Sequence, residues 1–170
     1  AFRYPRGNGV GITLPGIDET LEIGKGKVIT EGKQAAILSF GGRLQECLKA
    51  FEVLSSKGIK VTIVDARFAK PIDEKLIMEI AANHEVVVSI EEGSVGGFGS
   101  HVMQLLSNRG VFDKGLKFRA MILPDQFIDQ DDPKKMYEKA GLDSDSIVGT
   151  IENALNSNVV IAQNKNKNSN

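Results

Sequence analysis

The strongest constraint on this chain is an alternation: short apolar, β-branched runs, each followed by a segment with apolar residues at helical spacing. Ala35-Ala36-Ile37-Leu38-Ser39-Phe40 is a continuous apolar run, as in a strand covered on both faces. After Gly41-Gly42, the residues Leu44, Leu48, Phe51 and Leu54 fall on one face of a helix that Gly58 ends. Lys60–Ala66 (KVTIVDA) is again β-branched and strand-like. Ile72, Leu76, Ile77 and Ile80 then form the inner face of a second helix, with Asp73 and Glu74 near its positive end. Glu85–Glu92 is another buried strand. A glycine loop follows, then Val102, Met103, Leu105 and Leu106 on a helix that stops at Gly110. Phe118–Leu123 is the last predicted strand. Two more helices are predicted, Pro133–Gly141 and Ser144–Leu155, the first with Asp132 as N-cap and proline at its first position.

Strands alternating with helices imply an α/β fold: a mostly parallel sheet of about five strands, covered on both faces by right-handed crossovers. The lysine-flanked run Lys27–Glu31 suits an edge strand, free to run antiparallel. Residues 1–26 lack either period and contain Pro5, Pro15 and six glycines, so they read as a linker. The expected domain is 27–158. The polar end 159–170, closing on Asn164-Lys165-Asn166-Lys167-Asn168-Ser169-Asn170, is expected to be disordered. There is no internal repeat and no second core.

Composition narrows the function classes. A chain of 170 residues, 41% of them hydrophobic, can bury a core without staples. Its net charge of −1 provides no basic surface for a phosphate backbone, so nucleic acid is not an expected partner. The single cysteine, Cys47, excludes an internal disulfide; among Leu44, Leu48 and Phe51 it reads as a small buried hydrophobe. His84 and His101 are too isolated to form a zinc site. No apolar run reaches the roughly 20 residues that cross a bilayer, so no membrane is expected, and a reducing, aqueous compartment follows. Beginning at Ala1 in Phe2-Arg3-Tyr4-Pro5-Arg6-Gly7, the chain reads like the interior of a longer protein.

The conspicuous candidate for chemistry is the loop Glu91-Glu92-Gly93-Ser94-Val95-Gly96-Gly97-Phe98-Gly99-Ser100. It joins a strand end to a helix start, where free N–H groups receive anions. Its spacing is not G-x-G-x-x-G, and two carboxylates precede it, so a tight packing turn is the favoured reading and ligand binding the other. Glu91 and Glu92 resemble an acid/base pair, but neighbours on a strand face opposite ways. Gly7-Asn8-Gly9-Val10-Gly11 lacks the strand and helix that a nucleotide fingerprint needs. His101, at the first turn of a helix, is read as a surface or capping residue before a catalytic one. Asp65 and Arg67 lie at a strand end, where α/β proteins place ligands; an ion pair that fixes packing is the expectation. Asp129, Asp131 and Asp132 lack the spacing for calcium. These residues alone supply no nucleophile–base pair, metal cage or cofactor cradle.

Several stretches, in order, resemble the end of the 1-deoxy-D-xylulose-5-phosphate synthases, thiamine-diphosphate enzymes of transketolase type. Phe2–Gly9 is similar to the family's R-Y-P-R-G segment and Ile23-Gly24-Lys25-Gly26 to its linker. Asp65–Asp73 matches D-x-R-F-x-K-P-x-D, and Glu91-Glu92 with Gly96–Ser100 matches E-E…G-G-x-G-S. Leu123–Ile128 is similar to L-P-D-x-F-I. The glycine turn is shared with transketolases and 2-oxoacid dehydrogenase β subunits, while the first and last motifs favour the synthase. The resemblance implies a three-layer transketolase C-terminal-type domain and places residues 1–26 at the end of a pyrimidine-binding domain. It implies a complete enzyme, a homodimer in bacterial cytoplasm or plastid stroma, that condenses pyruvate with glyceraldehyde 3-phosphate. The products are 1-deoxy-D-xylulose 5-phosphate and carbon dioxide, feeding isoprenoid and thiamine synthesis. Thiamine diphosphate and Mg2+ would be held upstream of Ala1, leaving this portion inactive alone, with no catalytic, cofactor or metal residue and a packing or dimerisation role. One site residue carries over: Arg6 matches the arginine that grips the substrate phosphate, a task suited to a bidentate guanidinium. Two other readings stay open: a non-catalytic binding module, or the C-terminal domain of another thiamine enzyme.

Overall fold

The structure is a computed structural model that describes residues 15–157, with Gly9, Gly11 and Thr13 ahead of them. Arg6, the rest of its motif before Gly9, and the 159–170 tail lie outside the described residues.

Five strands, β1 (Lys27–Thr30), β2 (Ala35–Phe40), β3 (Val61–Asp65), β4 (Val86–Glu91) and β5 (Lys117–Met121), form one sheet ordered β1-β3-β2-β4-β5. β2 pairs in parallel with β3 and β4, and β5 in parallel with β4. β1 runs antiparallel on the edge of β3, as the lysine-flanked run suggested. It is short, largely exposed and shifts register between Val28 and Thr30, features that blunt an open edge. The central strands read as unbroken apolar runs because both of their faces are buried.

Alternation along the strands divides the core into two. Ile37, Ile63, Val88 and Ile90 face α1 (Leu44–Ser56) and α5 (Ser144–Asn156), with Cys47, Leu54, Ile147 and Ile151 packed against them. Leu38, Val64 and Val87 face α2 (Glu74–Asn83) and α3 (Phe98–Asn108), where Ile77, Phe98 and Leu106 complete the second layer. Each such side chain, fully buried, contributes about 1.5–3 kcal/mol. Aspartates cap three helices. Asp73 accepts from Leu76 N–H at 3.1 Å in α2, and Asp132 accepts from Lys134 N–H at 2.9 Å in α4 (Pro133–Ala140). Asp143, not foreseen, accepts from Ser146 N–H at 3.1 Å in α5.

The chain leaves β2 for α1 on one face of the sheet, but leaves β3 and β4 for α2 and α3 on the other. At the carboxyl ends of the adjacent strands β2 and β4 the connections therefore diverge and open a crevice. Open α/β sheets place ligands at such a switch point.

Candidate functional site

The crevice encloses about 760 Å³. Phe40-Gly41-Gly42 enters it from the end of β2 and Glu91-Glu92-Gly93 from the end of β4. Leu123, Ile128 and, on α4, Met136 and Tyr137 form the opposite wall.

The two glutamates part company there. Glu91, only 4% exposed, turns toward α3: Phe98 N–H donates to Oε2 at 3.0 Å and Gly99 N–H to Oε1 at 2.8 Å. A carboxylate supplied by the strand thus caps the helix, because the residue before α3, Gly97, has no side chain to do so. The glycines make room for it. A Cβ on Gly93 would stand 2.5 Å from Glu91 Oε2, and one on Gly97 would overlap the same carboxylate. The loop is a packing turn, as favoured from its sequence, and the N–H groups of Phe98 and Gly99 already hold an internal anion.

Glu92 points the other way. Its Oε1 lies 2.9 Å from Arg43 Nε, although that N–H is not aimed at it and has no hydrogen-bond partner among the described residues. The Arg43 guanidinium lies over the Tyr137 ring, 3.5 Å from its centroid. Burial, then the neighbouring Glu92 carboxylate, raises the Tyr137 phenol above its ordinary pKa. Glu92 also stands at the start of α1, where a Cβ on Gly42 would come within 3.0 Å of its Oε1. Opposite-facing neighbours were expected from the strand period, and these two carboxylates do not form an acid/base pair.

The other sequence candidates fall elsewhere. Arg67 Nε lies 3.3 Å from Asp65 Oδ2, a local pair between residues two apart rather than the packing-fixing pair expected, on a left-handed backbone (φ 58°) uncommon for a residue with a side chain. His101 lines a separate shallow depression with Lys70, Glu74 and Gln104. His84 is structural: Nδ1 is 2.8 Å from Ile80 O and Nε2 is 2.8 Å from Thr62 Oγ1, joining the end of α2 to β3. Cys47 is fully buried, and burial pushes its thiol up to about 11, so it is inert at neutral pH. Asp132 serves as a cap, and the Asp132 N–H together with Lys135 and Lys139 lowers the Asp131 pKa. The described residues contain no group of three or more side chains that could hold a metal ion.

Sequence reasoning missed the Arg43–Glu92–Tyr137 cluster. Its members come from α1, the end of β4 and α4, and only the topology brings them together. The one local hint was Gly41-Gly42, which lets α1 start close against the neighbouring strand end.

This chain belongs to the transketolase C-terminal domain family: the family's sequence model, described as "Transketolase, C-terminal domain", matches residues 24–147. Among solved structures it is similar to one described as "Split gene transketolase, inactive beta4 tetramer". The two are 31% identical with a TM-score of 0.74, over 85% of this chain and 46% of that one. The match therefore spans less than half of that neighbour. The family's enzymes depend on thiamine diphosphate, so the crevice can be tested for fit. A diphosphate there would meet Glu91 on the α3 amides and Glu92 at the start of α1, with no cluster of metal ligands beside it among the described residues. The described residues do not fit the cofactor.

Proposed function

We propose that this chain is the C-terminal portion of a 1-deoxy-D-xylulose-5-phosphate synthase. In that reading, the complete enzyme condenses pyruvate with glyceraldehyde 3-phosphate, releases carbon dioxide and supplies isoprenoid precursors. The observation that carries it is the first and last of the resembling motifs, Phe2–Gly9 and Leu123–Ile128, which favour the synthase over other transketolase-type enzymes. Membership of the transketolase C-terminal family supports the coarser part of this reading.

Thiamine diphosphate and Mg2+ belong to upstream domains of the complete enzyme. Residues 1–26 close the pyrimidine-binding domain, and 27–158 serve packing and dimerisation. No helix among the described residues is long and apolar enough to cross a membrane. Arg6 holds the phosphate of glyceraldehyde 3-phosphate once the preceding domain surrounds it; by itself the chain is inactive.

The test is product analysis with the complete enzyme. Given pyruvate and glyceraldehyde 3-phosphate, it should form 1-deoxy-D-xylulose 5-phosphate with one carbon dioxide per turnover. Arg6→Ala should raise KM for the phosphorylated aldehyde by at least about tenfold, the loss of one charged phosphate contact, while leaving KM for pyruvate nearly unchanged. The likeness to a split transketolase favours a second reading, a transketolase. Ketol transfer between sugar phosphates, with no carbon dioxide released from pyruvate, would establish it and overturn the first.

A further inference from the structure

The crevice at the ends of β2 and β4 plays no part in the chemistry proposed above, yet it is a formed cavity in the place where this class of sheet holds ligands. Its volume of about 760 Å³ is of the size that takes a small molecule. We propose that it binds a small organic cation, an aromatic or aliphatic amine with an apolar body.

Anions are disfavoured by what already occupies the helix ends. The α3 amides that would receive a phosphate are bonded to both oxygens of Glu91. The start of α1 faces Glu92, with Glu92 Oε1 only 3.0 Å from where a Cβ on Gly42 would stand. A phosphate or carboxylate entering here would be pushed against two like charges in a partly dry site.

Cations are favoured by the same residues. Among the described residues, the charged side chains that line the crevice are Glu91 and Glu92, both acidic. Arg43, whose Nε stands 2.9 Å from Glu92 Oε1, lines a neighbouring depression that shares Pro133 and Tyr137 with the crevice. Glu91 has both oxygens engaged, which leaves Glu92 as the counter-ion. Among the described residues no basic side chain besides Arg43 reaches it, and it keeps 26% of its side-chain surface open.

The rest of the wall determines the body of the ligand. Phe40, Leu123, Ile128, Met136 and the Tyr137 ring present an apolar surface. An aromatic ring packs well against such a wall, and a methionine adapts to its outline. An amine lodged against Glu92 with its apolar end among these side chains would satisfy both features at once. The proposal rests on the geometry of the sheet ends alone and stands whether or not the synthase reading holds.

The test uses the 170-residue chain, 15N- and methyl-Met-labelled, titrated with 2-phenylethylammonium chloride and separately with 3-phenylpropionate, an anion of similar shape. The amine should cause saturable shifts at the amides of Gly41, Gly42 and Gly93 and at the Met136 methyl. The anion should bind at least about tenfold more weakly, and Glu92→Gln should weaken the amine by about the same factor. Met136→Trp, which fills the cavity and removes that methyl reporter, should abolish the shifts at the three glycine amides while the remaining spectrum stays folded. Equal or tighter binding of phenylpropionate would overturn the proposal. So would shifts that survive Met136→Trp, or no saturable shift at these four positions with either probe.

Discussion

Glu91 decides whether the end of β4 is a binding loop or a structural joint. Its carboxylate bonds two amides at the start of α3, and hydrogen bonds to a charged group are worth about 1.5–3 kcal/mol each. Glu91→Ala, which strands both donors in a buried site, is expected to lower unfolding free energy by about 3 kcal/mol in urea titrations. Gly97→Ala should cost about 1–3 kcal/mol, because its methyl group would overlap the same carboxylate. Glu92→Gln should change stability by less than about 1 kcal/mol, since its pair with Arg43 remains partly open to water. If Glu92→Gln proved as damaging as Glu91→Ala, this division of roles would be wrong. Cys47 makes a different residue-scale point. Burial raises its thiol pKa from an ordinary 9.0 to about 11, so the folded state holds its proton where the unfolded state has lost it. Stability that depends on this proton is complete below about pH 9 and drains away as pH rises through about 11. A Cys47→Ala variant should therefore lose less stability than the parent between pH 9 and 11, read by chemical denaturation at each pH.

The elements were legible in the sequence where their signals are local. The runs at Ala35–Phe40 and Glu85–Glu92 became β2 and β4 because two-sided burial leaves little polar alternation. Asp132 before Pro133 marked the start of α4 because capping is decided within one turn. The 3-10 turn Phe112–Lys114 is too short to show a period and was not foreseen. Nor was the cap on α3, because the capping atom belongs to β4 rather than to the residues just before the helix. The crevice was legible only in part. The glycine loop stood out, but the pairing of Arg43 with Glu92 and Tyr137 requires strand order, which no single segment encodes. Asp73 shows how an element and its surroundings are coupled: it caps α2 and also accepts from Gly26 N–H at 3.2 Å, tying the segment before β1 to the helix. Asp73→Ala should cost about 1–2 kcal/mol through the lost cap. Hydrogen exchange should also quicken at Gly26 and in β1, and unchanged exchange there would show that the tie contributes nothing.

At the scale of the molecule, the fold has the frame of a ligand-binding α/β sheet in which Glu91 holds the α3 amides and Glu92 stands beside the start of α1. The mostly parallel sheet with helices on both faces follows from the alternation of strands and helices, so that much of the architecture was open to inference from the element pattern, while the strand order β1-β3-β2-β4-β5 was not. The acidic crevice was not foreseen, because it depends on the directions two adjacent side chains take at the end of one strand.

The most direct measurement is the melting temperature of the 170-residue chain with increasing thiamine diphosphate and excess Mg2+. A ligand at a hundred times its Kd would add about 2.7 kcal/mol and a clear rise in melting temperature. With Glu91 on the α3 amides and Glu92 at the start of α1, the melting temperature should stay constant throughout the titration. A saturable rise that tracks the cofactor concentration would contradict this and place a diphosphate site within the chain.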